Sequence, residues 1–295
     1  MAGTICGQCG GGAARHLVAR DQNRRVTDEV FTYYRCGSCG VVFVDPMPRD
    51  LGRFYPAGYH RIPASADELA PNEKHERFKL DAIGVTGGGR SLLEIGPSYG
   101  GFSRIAQRAG YRVTALEMDE ACCRFLNEAI GIDARHTTDV AGDLKALGGF
   151  DVITLWHSIE HLPDPWSMLD ALPAHLADGG TLAIATPNPL ALQFRVFGAH
   201  WVHLDAPRHV VFIPPAVLDA RLARHGLRRT HFTTLDQGAQ DCNLLSWQES
   251  PRLKFPEWMR GPLFRRIGRT LLARLQRREM QDPNGSAYTA VYRKG

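Results

Sequence analysis

The stretch from Ser91 to Phe102 constrains the fold of this chain more than any other. It reads Ser-Leu-Leu-Glu-Ile-Gly-Pro-Ser-Tyr-Gly-Gly-Phe. Leu92, Leu93 and Ile95 form the short apolar run of a buried parallel strand. Gly96, Gly100 and Gly101 break it into a turn. Phe102, Ile105, Ala106 and Ala109 then recur at helical spacing until Gly110 stops the helix. Strand, glycine turn and helix in this order let a backbone approach a ligand that a Cβ would push away. About 20 residues further on, a second strand, Tyr111 to Leu116, ends in Glu117, an acid placed to accept hydrogen bonds from a ribose.

The segment resembles the nucleoside-binding motif of the class I S-adenosylmethionine-dependent methyltransferases, acid-x-Gly-x-Gly-x-Gly. Glu94 stands as the acid, Gly96 and Gly100 as the outer glycines, and Ser98 replaces the middle one. A dinucleotide oxidoreductase would need a G-x-G-x-x-G turn for its pyrophosphate, which this turn does not supply. The resemblance implies an α/β fold with a Rossmann-like seven-stranded sheet, with S-adenosylmethionine held by Glu94, Gly96, Ser98, Gly100 and Glu117. It also implies Met118 against an adenine face and Asp139, in competition with Asp143, reading the adenine amino group. Phe150 to Trp156 reads as a buried strand whose end, at Trp156, opens on the ligand crevice.

Ahead of this sheet stand two Cys-x-x-Cys knuckles, Cys6–Cys9 and Cys36–Cys39, each followed by a glycine. Two such turns complete a tetrahedron of thiolates, so a structural Zn²⁺ with no open coordination position is expected. The metal would hold a zinc-ribbon of residues 1–60 whose own core is small. Residues 61–295 are then expected as the methyltransferase domain, with insertions at about 187–213 and 238–285. No signal segment is visible, and no apolar run reaches the roughly 18–20 residues of a bilayer span. With seven cysteines read as thiols or metal ligands, a cytoplasmic location is the expectation.

The stretch His157-Ser158-Ile159-Glu160-His161-Leu162-Pro163-Asp164-Pro165 looks like the segment after the fourth strand of small-molecule methyltransferases. His157 and His161 are four apart, so one helical turn would put both imidazoles on one side, where His161, helped by His157 or His209, is expected to take the acceptor's proton. A zinc-protease reading needs Glu directly after the first His, and Ser158 stands there. Asp164-Pro165 should start a helix that Pro173 kinks or divides. The pattern Gly-x-x-Trp-x-x-Leu-Asp-x-Pro-Arg-His, Gly198 to His209, resembles an insertion of bacterial methyltransferases of surface-polysaccharide and natural-product pathways. By that resemblance it should form the acceptor pocket, with His209 as a further base; Asp205 and Arg208 would otherwise pair with each other and fix the loop. The Pro187-Asn188-Pro189 that follows the next strand lacks the Pro-Pro-aromatic signature of base-amine methylation, so nucleic acid is not the expected partner.

Leu227 to Leu235 and Ala287 to Arg293 read as the last two strands, an antiparallel edge pair in the resembling fold. Between Pro251 and Met280, nine Lys or Arg face two Glu, a local +7 against +4 for the whole chain. The helix of residues 260–278 is therefore a candidate for peripheral contact with an anionic membrane or a phosphate-bearing substrate, against a plain solvated face. The expected activity is methyl transfer to a small-molecule acceptor, a hydroxyl of a sugar or natural-product intermediate. The alternatives are an RNA methyltransferase using the ribbon and the basic helix, and a non-catalytic nucleoside-binding protein.

Overall fold

The computed structural model describes residues 3–56, 58–84, 87–255 and 274–295. Four short strands open the chain: Thr4–Ile5 (β1), Gly12–Ala19 (β2), Phe31–Cys36 (β3) and Val42–Val44 (β4). They pair antiparallel in sequence order. This sheet is completed from far along the chain. Val211–Phe212 (β10) pairs antiparallel with β4, and the Val44 N–H donates to the Val210 carbonyl at 2.9 Å. The N-terminal strands therefore share a sheet with the stretch expected as an insertion.

They share a core with it as well. Tyr33, Val42 and Val44 are buried in one hydrophobic cluster with Phe194, Trp201 and Phe212. Phe194 stacks on Trp201 with ring centroids 4.9 Å apart. The insertion thus spends its aromatic residues on packing, and Trp201 and Phe212 are fully buried instead of lining an open pocket.

The larger sheet has seven strands. After helix α1 (Ala70–Ile83) come β5 (Ser91–Ile95), α2 (Gly101–Arg108), β6 (Arg112–Glu117), α3 (Glu120–Phe125) and β7 (Asp133–His136). A short helix, α4 (Val140–Leu144), leads to β8 (Phe150–Trp156). Next come α5 (Pro165–Ala171) and β9 (Leu176–Pro187), followed by α6 (Leu192–Phe197), α7 (Pro215–Ala223), β11 (Leu227–Thr233), α8 (Gln237–Lys254) and β12 (Ala287–Lys294). The order across the sheet is β11-β12-β9-β8-β5-β6-β7. Strands β5 to β9 run parallel, and β12 enters antiparallel between β11 and β9.

Local chemistry accounts for the boundaries. Asp164 caps α5 through the Ser167 N–H at 3.1 Å, with Pro165 at the first position. Pro173 ends the α-helical pattern, and Leu172–His175 continues as a 3₁₀ turn. Leu92, Leu93, Val152 and Ile153 are buried because helices cover both faces of a parallel sheet. Strand order reverses beside β5, which opens a crevice at the carboxyl ends of β5 and β8. Helix α8 was not expected from the sequence. It packs on α1 at Gly238, where a Cβ would lie 2.8 Å from the Phe78 ring. Residues 256–273, most of the expected basic helix, lie outside the described residues. Among the described residues no helix is long and apolar enough to cross a membrane.

Candidate active site

The turn after β5 is built to carry a ligand close to the backbone. Gly96 has a φ of +73°, and a Cβ there would lie 2.7 Å from that of Ser158. Ser98 has a φ of +54°, the left-handed conformation that a glycine usually supplies. The site pays for that strain with bonds: the Ser98 N–H donates to Glu117 at 2.8 Å, and its hydroxyl meets His60 Nδ1 at 2.9 Å. The Ser-for-Gly departure therefore keeps the turn's shape and adds a polar contact from the N-terminal side. Gly100 caps α2 in the left-handed region.

Two acids flank the turn. Glu94 is 2% exposed and accepts from the Ser103 hydroxyl. Burial pushes its carboxyl up to about 7, against the pull of Ser103 and Lys79. Glu117, at the end of β6, accepts three backbone N–H bonds, from Ser98, Met118 and Asp119, at 2.7–2.9 Å. Its carboxylate is thereby aimed at the turn, where a ribose would sit. Met118 is 47% exposed beside it, an uncovered apolar side chain at the place expected for an adenine face. Asp139 is exposed and caps α4 through the Gly142 N–H at 3.0 Å; Asp143 is exposed on the same helix.

Beyond β8 the histidines separate. His157 stands alone at a φ of +53°, and the 3₁₀ turn Ile159–His161 begins after it. The single helical turn expected to align His157 with His161 does not form, because the backbone reverses hand at His157. His157 Nδ1 lies 3.5 Å from Glu160 Oε1. Glu160 is fully buried and accepts from the Thr186 hydroxyl at 2.9 Å. Burial would raise its carboxyl, but His157 beside it, with His209 and His161 behind, brings it down to about 2. His161 turns the other way. Its Nδ1 meets the Tyr55 hydroxyl at 2.8 Å and the Arg208 carbonyl at 3.2 Å, and its ring packs on His209. Burial, with the neighbouring His209, lowers its imidazole to about 4. His209 donates from Nδ1 to the His203 carbonyl at 2.7 Å.

A cavity of about 180 Å³ opens at the rim beside His157. Phe78, Trp156 and Tyr288 form apolar walls, and Glu76, Asp236 and Asp241 bring carboxylates. Neither His161, His209 nor any residue of 187–213 lines it. Helices α1 and α8 and the start of β12 take that role, and α8 carries no apolar period to announce it. Asp205 and Arg208 do pair, and a third residue joins them: Asp21, from the connection between β2 and β3.

The four knuckle cysteines face one another. Cys6 and Cys39 sulfurs are 3.7 Å apart and Cys9 and Cys36 sulfurs 3.5 Å. A tetrahedron with Zn–S bonds of about 2.3 Å has edges of about 3.8 Å, so the sulfur spacing fits a Zn²⁺ held by all four. Their ligand atoms all lie within 4.8 Å of one another.

A family profile described as a methyltransferase domain matches residues 41–231, well over half the chain. The ubiquinone biosynthesis O-methyltransferase of Marinobacter nauticus is 30% identical over 158 residues, 49% of this chain and 66% of that protein. The protein of the same name from Aromatoleum aromaticum is 28% identical over 193 residues, 61% of this chain and 82% of that one. The chain thus spans just under two thirds of the first of these relatives. Among solved structures, a SAM-dependent methyltransferase from Archaeoglobus fulgidus superposes with a TM-score of 0.52 at 16% identity, covering 77% of this chain and 94% of that one. Geranyl diphosphate C-methyltransferase from Streptomyces coelicolor, bound to S-adenosyl-L-homocysteine, superposes with the same score and identity over 78% of this chain and 82% of that one. These likenesses concern the fold.

Proposed function

The chain belongs to the methyltransferase-domain family and is a class I S-adenosylmethionine-dependent methyltransferase, and from that premise we propose that it methylates a hydroxyl of a small molecule bound beside His157. One observation carries this reading. The cavity at the end of β8 presents a single imidazole, His157, with a buried carboxylate 3.5 Å behind it. The donor supplies a methyl group on a positively charged sulfur. Gly96, Ser98 and Gly100 would hold it by the backbone, Glu117 would bind its ribose, and Met118 and Asp139 would meet its base. Glu94 and Trp156 close the floor.

His157 takes the acceptor proton as the hydroxyl attacks. Glu160, ionised, orients the ring and balances the imidazolium that forms. Holding the two reactants at attack distance makes the largest contribution to rate. His161 and His209 back Glu160 electrostatically and support the wall. The four cysteines hold Zn²⁺ as a tether of the N-terminal sheet, and residues 1–60 serve the domain of residues 61–295 as a clamp.

The test incubates the protein with S-adenosylmethionine and a panel of sugars, phenols and RNA, with methylated product read by mass. Methyl transfer to a small hydroxyl compound is expected. Transfer to RNA alone would overturn the reading, and donor binding without turnover on any class would point to a binding protein.

A further inference from the structure

The cavity beside His157 contains polar groups that the protein leaves unsatisfied. Trp156 is 6% exposed and lines it, yet its indole Nε1–H has no hydrogen-bond partner. Asp236 lines it too. Its Oδ1 caps α8 through the Ala239 N–H at 2.8 Å, while Oδ2 is buried and unpartnered. A buried donor and a buried acceptor left open in one cavity are costly unless a ligand engages them.

The charges indicate which ligand. Glu76 is paired with Lys79 and Asp241 with His75. Asp236 alone of the three lining carboxylates has neither an ammonium nor a ring nitrogen against it among the described residues. Lys79 also lines the cavity, its ammonium 5.5 Å from the Trp156 ring and 6.0 Å from that of Phe78, but it is spent on Glu76 and leaves Asp236 unanswered. A phosphate would meet the open carboxylate of Asp236. At about 180 Å³, the space falls below the roughly 300–1,000 Å³ of sites that take drug-sized ligands, so it suits one substituted ring.

We propose that the acceptor is a single hydroxylated ring bearing a protonated amine, an amino sugar or aminocyclitol, with the amine on Asp236 and a ring oxygen on the Trp156 indole N–H. This rests on reading the cavity as the acceptor site. It accounts for both open polar atoms and for the missing counter-ion with one ligand.

The probes are 2-amino-2-deoxyglucose, its N-acetyl derivative and glucose. Each is titrated calorimetrically into the full chain saturated with S-adenosylhomocysteine, and methyl transfer is read separately by product mass. The amine should bind about 10-fold or more tightly than the other two. Asp236→Asn keeps the helix cap, so it should abolish that preference while leaving donor affinity unchanged. Equal affinity for the three sugars, or a preference that survives Asp236→Asn, would overturn the amine assignment. Methylation of glucose or a catechol with the amine excluded would also overturn it, but would leave the methyl-transfer reading intact. Tight amine binding with no methylated amine would instead overturn the reading of this cavity as the acceptor site.

Discussion

Arg208 grips Asp21 across 187 residues of sequence, its guanidinium donating to the carboxylate at 2.7 and 3.1 Å with both side chains wholly buried. The same guanidinium donates to Asp205 at 2.8 and 2.9 Å. Burial would raise the Asp21 carboxyl, but Arg208 and the backbone N–H groups of Val26 and Arg24 hold it low. One cation thus ties the N-terminal sheet to the loop that also supplies β10. Arg208→Ala strands two carboxylates in the interior and should cost about 3–5 kcal/mol, read from the urea midpoint. Arg208→Lys should rescue only part, since an ammonium cannot make the four-bond fork. A midpoint unmoved by either substitution would show that the pair carries no stability.

Ser98 tests the donor turn. Its positive φ suits glycine, so Ser98→Gly should bind S-adenosylmethionine at least as well as the parent. Ser98→Val places a β-branched residue in the left-handed region, at a cost on the order of 1–3 kcal/mol. That should weaken donor binding by about tenfold or more in calorimetry. Equal affinities for the two variants would place the donor elsewhere.

His157 and His161 separate by kinetics. His157→Ala should lower kcat by about 10²–10⁴ with donor affinity unchanged. His161→Ala should cost less than about tenfold, since its ring is engaged by Tyr55 and the Arg208 carbonyl. The reverse ranking would move the base to His161.

Stability should depend on pH through two buried imidazoles. Burial lowers both His161 and His203 from 6.5 to about 4. Between those values the unfolded chain binds more protons than the folded one, so acid favours unfolding. The melting temperature should be level above pH 6.5 and fall as pH drops towards about 4, each ring withdrawing on the order of 3 kcal/mol of stability. His203→Asn should flatten that slope. A melting temperature constant across the window would contradict the burial of both rings.

Zinc should report on the whole molecule. Cys36→Ser should lose the metal, measured by elemental analysis. Because β4 and β10 share a sheet, the loss should lower the main melting transition and not only release a small early one. An early transition with the main one unmoved would make residues 1–60 an independent unit.

Strands β5 and β8 of the parallel sheet were legible because each is a short apolar run, and the turn after β5 because its glycines and acids sit at fixed spacing; the edge strand β7 was not, because Asp133, Arg135 and His136 leave Ala134 as its one apolar residue. Helix α8 was not, since Gln237 to Lys254 carries Gly238 and Pro251 and no apolar stripe; tertiary packing on Phe78 makes it a helix. For the same reason the cavity that α8 walls could not be read from the sequence. The His157–His161 spacing suggested a shared face that a single left-handed residue abolishes. Asp205 and Arg208 were legible as a local pair, but Asp21 was not, because nothing in a linear pattern relates residues so far apart.

Strand β10 is only two residues long, yet it seals the edge of the cysteine-bearing sheet. A chain trimmed to start at the donor-binding half would bare Val211 and Phe212, an apolar lip with open amides on which other chains could pair. The first forty-four residues, through β4, therefore cannot be exchanged among relatives as a cassette. Evolution or engineering that alters them must recut Val211 and Phe212 in the same stroke.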